Sequence, residues 1–244
     1  MWGHPLEFHA QITSTNERAK VWARSGAREG SLVVADHQSH GRGRFGRAWV
    51  APAGSALLFS LVLRPKIEPA KAALIALLAA AAVRQAVAES TGLDAAIKWP
   101  NDVLVGGKKL SGVLAESLLE GNRLEAVIAG IGVNVNQQTF ATDRATSIWG
   151  LTGQNHPRFT LLAAILAGMH QRYQALSAGD GAALLAECRQ HSATLGQDVV
   201  LRAGTSTVRG RAVDIDSDGR LVLDTADGLV RALAGEVSTG EEMA

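Results

Sequence analysis

Residues 31–63 read Ser31-Leu32-Val33-Val34-Ala35-Asp36, then Gln38-Ser39-His40-Gly41-Arg42-Gly43-Arg44-Phe45-Gly46-Arg47-Ala48-Trp49, then Ser55-Ala56-Leu57-Leu58-Phe59-Ser60-Leu61-Val62-Leu63. The two short apolar runs predict sheet strands, and the segment between them predicts a loop held at both ends. Gly41, Gly43 and Gly46 remove Cβ atoms, so backbone N–H groups can turn toward one point. Arg42, Arg44 and Arg47 add forked donors that match phosphate or carboxylate oxygens. The loop is therefore predicted to hold an anion, with a solvated basic surface loop as the alternative on this stretch alone. Its spacing also satisfies G-x-G-x-x-G, but a dinucleotide turn opens directly into a helix. Here Trp49, Pro52 and Gly54 follow and lead into a second apolar run, so the dinucleotide reading fails on context.

Upstream, Ser14-Thr15-Asn16-Glu17 has capping-box form ahead of a helical stretch ending near Gly26. The same residues put three small polar side chains at a positive helix end, which suits a ligand with carbonyl and N–H groups. Downstream, Pro69 to Ser90 predicts a helix with Gly92 just past its end. Ile97 to Val105 reads as a strand that Trp99-Pro100-Asn101-Asp102 interrupts and that then resumes. Gly106-Gly107 predicts a hairpin whose return strand runs from Lys108 through Leu118. Period-two alternation puts Lys109 and Ser111 on one face, with Gly112 letting a ligand approach the backbone. A further buried strand, Ala126 to Ala129, enters Gly130-Ile131-Gly132-Val133-Asn134-Val135-Asn136, with Asn134 and Asn136 on a common face. Thr160 to Ala178 and Asp180 to Leu195 read as helices capped by Thr160 and Asp180. Beyond Gly196, short β runs at 197–203, 207–215, 220–224 and 229–233, separated by Asp-Gly turns, predict a small antiparallel barrel without a catalytic cluster.

At 244 residues, 47% hydrophobic and 19% charged, the chain can bury a full core and a smaller second domain. Twenty-four basic against 23 acidic residues leave a net charge of +1, which argues against a global field for nucleic acid or membranes. Cys188 is the only cysteine, so an intramolecular disulfide and a cysteine-based metal cluster are excluded and a cytoplasmic setting fits. The apolar run Ala72 to Val83 falls short of the roughly 20 residues of a membrane helix and is read as a core helix.

Together, Ser14-Thr15-Asn16, the Gln38 to Trp49 stretch, Lys98-Trp99-Pro100-Asn101-Asp102, Lys109-Leu110-Ser111-Gly112 and Gly130-Ile131-Gly132-Val133-Asn134 resemble the biotin protein ligases. The match runs in order from about residue 8 to Gly235-Glu236-Val237-Ser238. The resemblance implies an α+β fold related to class II aminoacyl-tRNA synthetase catalytic domains, with a mixed sheet over residues 1–195 and an SH3-like C-terminal domain over 196–244. It implies that Ser14, Thr15, Asn16 and Gln38 hold the biotin ring, and that Gly41, Arg42, Gly43 and Arg44 fold over biotin and the adenylate phosphate. Lys109 would contact carboxylate and phosphate as a catalytic residue with Arg44, and Gly112 and Leu114 would line the biotin tail. Arg47, Trp49, Lys98 and Asn134, again with Arg44, would serve the nucleotide, and Asp102 would lie nearest Mg²⁺. Ser39-His40 and Phe45 depart from the usual pattern beside these residues.

The implied reaction makes biotinyl-5′-AMP from biotin and ATP, then passes biotin to a lysine of a biotin carboxyl carrier protein. No protein nucleophile and no tightly bound prosthetic group are needed. A lipoate or octanoate ligase or transferase of related fold is the alternative, but its substrate lacks a ureido ring, and the polar Ser14-Thr15-Asn16 and Gln38 set favours biotin. A biotin-dependent repressor, or a nucleotide-binding module without catalysis, is the rival of another class. The few residues ahead of Ser14 are too short for a helix-turn-helix, so the expectation is a monofunctional enzyme without specific DNA or membrane binding, with room for a homodimer.

Overall fold

The structure, a computed structural model, describes residues 2–239. In chain order it contains β1 (Leu6–Ile12), α1 (Thr15–Arg24), β2 (Leu32–Gln38), β3 (Ala56–Leu63), α2 (Leu74–Thr91), β4 (Ala95–Lys98), β5 (Asp102–Val105), β6 (Lys108–Glu120) and β7 (Arg123–Asn134). There follow α3 (Ile148–Thr152), α4 (Arg158–Ser177), α5 (Ala182–Gln190), β8 (Asp198–Ala203), β9 (Ser206–Ile215), β10 (Leu221–Thr225), β11 (Gly228–Ala232) and β12 (Glu236–Thr239). Strands β1 to β7 form a sheet in the order β1-β2-β3-β7-β6-β5-β4, parallel between β1 and β2 and antiparallel elsewhere. The α+β expectation with a mixed sheet holds.

Every residue of β3 is buried because both of its faces are covered, which is why its sequence is nearly continuous in apolar residues. Leu57, Phe59, Leu61 and Leu63 join the cluster built with α2 and α4. On the other face, Leu58 packs with Ala51 and Ala56, while Val62 packs with Ala19 and Ala23 of α1. Ser60 lies between them as the one polar residue of the strand, and the functional cleft opens above it. With its preceding 3₁₀ turn, the α2 segment Pro69–Thr91 is long and apolar enough by length and composition to cross a bilayer. Here its residues Ala79, Ala80, Ala81 and Ala82 are instead buried against the sheet and α4, where small side chains allow close approach.

Several local expectations are corrected. Ile97 to Val105 is not one interrupted strand: β4 and β5 are an antiparallel hairpin with Lys98 opposite Asp102, and Trp99-Pro100-Asn101 is its turn. Pro100, which has no N–H to give a ladder, sits where none is needed. Lys109 and Ser111 do not share a face. The β5–β6 register shifts between Val103 and Leu104, leaving Leu110 as an extra residue. Leu110 and Ser111 thereby turn into the buried side, and Lys109 emerges beside Gly112. Thr160 is not a cap, since α4 begins two residues earlier behind Pro157, and α5 ends at Gln190 rather than near Leu195. Asp180 still accepts from the Ala182 N–H, although Gly181 occupies the cap position. The expected barrel is an open antiparallel sheet in the order β11-β10-β9-β8-β12, with no pairing of β11 to β12 among the described residues. Edge strand β1 and the one-turn α3 went unread in the sequence.

Candidate functional site

The deep end of the cleft is built where α1 starts. Ser14 caps the helix, its Oγ accepting from the Glu17 N–H at 3.5 Å, and Thr15 and Asn16 are buried in the first turn. Gln38 Oε1 accepts from Thr15 N at 2.7 Å and from Thr15 Oγ1 at 3.0 Å, so its amide nitrogen faces the cleft. Asn16 is oriented the opposite way. Its Nδ2 donates to Leu114 O at 3.2 Å and to Glu116 Oε2 at 2.8 Å, while Ser60 Oγ donates to its Oδ1 at 2.5 Å. Ser60 Oγ also lies 2.7 Å from Thr15 Oγ1. A Cβ added to Gly130 would land on the Asn16 carboxamide, so glycine there makes room for this amide. Behind Asn16, Lys20 Nζ bridges Glu116 at 2.6 Å and Glu17 at 3.0 Å. Burial opposes the charge on Lys20, but the two carboxylates outweigh it and its pKa is raised.

The arginine loop closes on itself as a small hairpin, with Gly43 N donating to Arg47 O at 2.7 Å and Trp49 N to Gly41 O at 2.9 Å. A Cβ on Gly41 would sit 2.5 Å from Trp49 O, which explains that glycine by close approach. Phe45 takes a left-handed φ of 57° at the tip. The three arginines do not converge on one point. Arg42 is exposed and pairs with Glu17 at 3.0 Å, and Arg47 is exposed and pairs with Glu236 at 2.5 Å. Arg44 alone points inward, donating to Asn101 Oδ1 at 2.9 Å and Gly235 O at 3.0 Å. Its burial lowers its pKa, against the pull of Asp102 and Glu236.

Between these two parts, Lys109 Nζ pairs with Asp102 Oδ2 at 2.7 Å and lies 5.8 Å from the Trp49 ring centroid. Asp102 Oδ1 is buried without a partner. The Trp49 indole rests on the sheet where Cβ atoms on Gly132 and Gly112 would come within 2.6 Å and 3.2 Å of it. Asn134, also buried, donates its Nδ2 to Thr146 O at 3.0 Å and keeps an acceptor oxygen. All of these parts surround one cleft of about 880 Å³. Ser14, Thr15, Asn16, Gln38, Arg42, Gly43, Arg44, Arg47, Trp49, Lys98, Asp102, Lys109, Gly112, Leu114 and Asn134 line it, and Gly41 lies just outside. Asn136 does not: its side chain clamps the His156 backbone on both sides. Among the described residues no group of three or more His, Cys, Asp or Glu could hold a metal ion, so Asp102 is not part of a ligand cluster.

Sequence reasoning missed Ser60, Asn101, Glu116 and the Gly235-Glu236 pair. Ser60 had a signal, a single hydroxyl inside an apolar run. Asn101 and Gly235-Glu236 stood in matched stretches but carried no assigned role, and Glu116 had no signal, because they reach the cleft only through pairings more than fifty residues away in sequence or from behind its floor.

Residues 8–134 match the family described as Biotin/lipoate A/B protein ligase family, and residues 194–240 match Biotin protein ligase C terminal domain. The chain is 37% identical over 240 residues to a biotin–[acetyl-CoA-carboxylase] ligase of Mycobacterium tuberculosis, covering 95% of this chain and 88% of that protein. It is 36% identical to a ligase of the same description from Paracoccus denitrificans, covering 95% of this chain and 99% of the relative. It is also 36% identical to the bifunctional ligase/repressor BirA of Bacillus subtilis, spanning 98% of this chain and 75% of that one. A structure of biotin protein ligase from Aquifex aeolicus in complex with biotin and ATP superposes with a TM-score of 0.83 at 31% identity, over 96% of this chain and 98% of the other.

Proposed function

The chain belongs to the biotin/lipoate A/B protein ligase family, and from that premise we propose that it is an ATP-dependent biotin protein ligase acting on a biotin carboxyl carrier protein. The observation that carries this reading is the polarity of the deep end: Gln38 offers an N–H donor and Asn16 an acceptor oxygen, side by side in a buried pocket. A cyclic urea has a carbonyl and flanking N–H groups that answer both. A lipoyl or octanoyl chain answers neither: it would leave the part-buried Gln38 amide nitrogen without a partner, at about 1–3 kcal/mol, and Asn16 Oδ1 with only the Ser60 hydroxyl.

In the first step the biotin carboxylate attacks the α-phosphorus of ATP, forming biotinyl-5′-AMP and releasing pyrophosphate. In the second, a carrier lysine amine attacks the acyl carbon, forming the amide and releasing AMP. Like charges about 4 Å apart repel by roughly 4 kcal/mol at an effective dielectric of 20, so the first step needs fixed cations. Lys109 supplies one where carboxylate and phosphate meet, and Arg44 a second. Gly112 and Leu114 flank the biotin tail, and Gly41, Arg42 and Gly43 carry the loop over it. Trp49 offers its face to adenine and Asn134 its free oxygen to the exocyclic amine, with Arg47 and Lys98 on the phosphate side. A Mg²⁺ ion fits this donor set as a passenger of the ATP phosphates, since it keeps most of its waters and asks the protein for one or two carboxylates. Asp102, with a buried oxygen lacking any partner, is the one we assign to it. The ion would spread the developing phosphate charge.

We further propose that residues 1–195 are the catalytic domain and that 196–244 form an SH3-like unit, supported by the match over 194–240 and by the five-stranded antiparallel sheet. A cytoplasmic enzyme without operator binding agrees with the +1 net charge and the buried free thiol of Cys188, and a homodimer is compatible with it. Incubating the protein with Mg²⁺-ATP, a carrier domain and either biotin or lipoate, read by intact mass, tests the reading. A biotin adduct on one carrier lysine is expected, and a lipoyl adduct alone overturns it.

A further inference from the structure

We propose that Glu116, neutralised by Lys20, is a positioning residue that sets the hydrogen-bond polarity of the ring-binding pocket by locking Asn16 as an acceptor; this rests on the biotin reading above. A primary amide has nearly the same shape after a half-turn, so the pocket would recognise a different ligand if Asn16 turned over. Leu114 O at 3.2 Å gives one of its amide hydrogens a partner, and Glu116 Oε2 at 2.8 Å takes the other. In the flipped amide, Oδ1 would face both the Leu114 carbonyl and the Glu116 carboxylate, two acceptors with no proton between them. Ser60 reinforces the same orientation by donating to Oδ1. The carboxamide also fills the space where a Gly130 Cβ would be, so it is confined in position as well as orientation.

Glu116 itself does not line the cleft. Its second oxygen accepts from Lys20 at 2.6 Å, Lys20 reaches Glu17 at 3.0 Å, and Glu17 takes Arg42 of the loop at 3.0 Å. The carboxylate is thus paired with a cation behind the floor, where it orders a reader without touching the ligand. Specificity for a ring N–H donor therefore begins at a residue outside the pocket.

A charge swap in the full chain tests this, with biotin binding followed by calorimetry and KM values followed for biotin and ATP separately. Asn16→Asp keeps the acceptor oxygen and the shape but sets two carboxylates against each other. It is expected to raise the biotin KM about thirtyfold while changing the ATP KM and kcat by no more than about threefold. Adding Glu116→Gln to Asn16→Asp supplies an N–H for the new carboxylate and should recover at least about tenfold of that loss. Glu116→Ala alone should raise the biotin KM about tenfold. A double variant no better than Asn16→Asp overturns the proposal, as does an ATP KM that rises in step with that of biotin. Should Asn16→Asp fail to fold, the double variant, which lacks the repulsion, and Glu116→Ala carry the comparison. A wild-type chain that does not bind biotin overturns the proposal together with the reading it rests on, whereas wild-type binding without rescue overturns the proposal alone.

Discussion

Lys109 and Asp102 are 2.7 Å apart, and each is held by the strand pairing that follows the Leu110 bulge. Removing the lysine leaves a carboxylate facing the carboxylate and phosphate that must meet there. Lys109→Ala should therefore slow adenylate formation by about a hundredfold or more in a single turnover, while the neighbouring exposed Lys108→Ala changes it less than about twofold. Equal effects of the two would show that position along the hairpin, and not the inward face, is what matters. Lys109 was legible in the sequence as a candidate, but its direction was not. Period-two reasoning assigned Ser111 to the same face, and an extra residue in one strand, invisible without its partner, reversed that. Ser14, Thr15, Asn16 and Gln38 were legible as a polar set, yet which atom Asn16 presents depends on Ser60, Leu114 and Glu116, which are far away in sequence, and which atom Gln38 presents depends on Thr15.

Among the elements, strands β2 and β3 and helices α1 and α2 were readable because apolar spacing and caps are local signals. The β4–β5 hairpin was not, because a proline turn between two four-residue strands looks like a flaw in one strand. The arginine loop shows the same limit. Its composition predicted anion binding, but a pattern of glycines and arginines does not say that Arg42 and Arg47 will find Glu17 and Glu236. Arg44 ties the loop to Asn101 and to the Gly235 carbonyl and points into the cleft. Arg44→Gly is thus expected to leave the ring pocket intact and still yield biotinyl-5′-AMP, but to speed its escape about ten- to hundredfold, the share of one charge-assisted contact of about 1.5–3 kcal/mol. A stopped-flow measurement of adenylate release checks this, and an unchanged off-rate would make the loop a passive rim.

Across the whole molecule, the C-terminal sheet is joined to the cleft by Arg44 to Gly235, Arg47 to Glu236, and the buried Trp99 indole donating to Gly219 O at 2.9 Å. The two carboxy-terminal contacts could not be read from a segment that carries no catalytic pattern of its own. The hydrogen bond from Arg47 holds Glu236 below its ordinary pKa of 4.5, with partial burial opposing. A depressed folded-state pKa means that this contribution is fully present above about pH 4.5 and is lost as the pH falls through the lower folded value. Acidification below pH 4.5 should therefore loosen the loop and C-terminal sheet, seen as faster proteolysis near Gly235 by a protease active in acid. Glu236→Gln should remove that acid-dependent step; an identical pH profile would assign the loosening to another carboxylate.

The chain has five tryptophans, but Trp49 alone lies with its ring across the glycine floor of the cleft, beside an ammonium group. Trp99 also borders the cleft yet is sealed in the core at 2% exposure. An indole so placed is a built-in optical gauge of occupancy: a nucleotide base stacking on it should quench and shift its emission, while biotin at the far end should change it little. Titration with ATP and then biotin should resolve the two halves of the cleft by colour, and Trp49→Phe should silence the nucleotide signal while the other four indoles continue to emit.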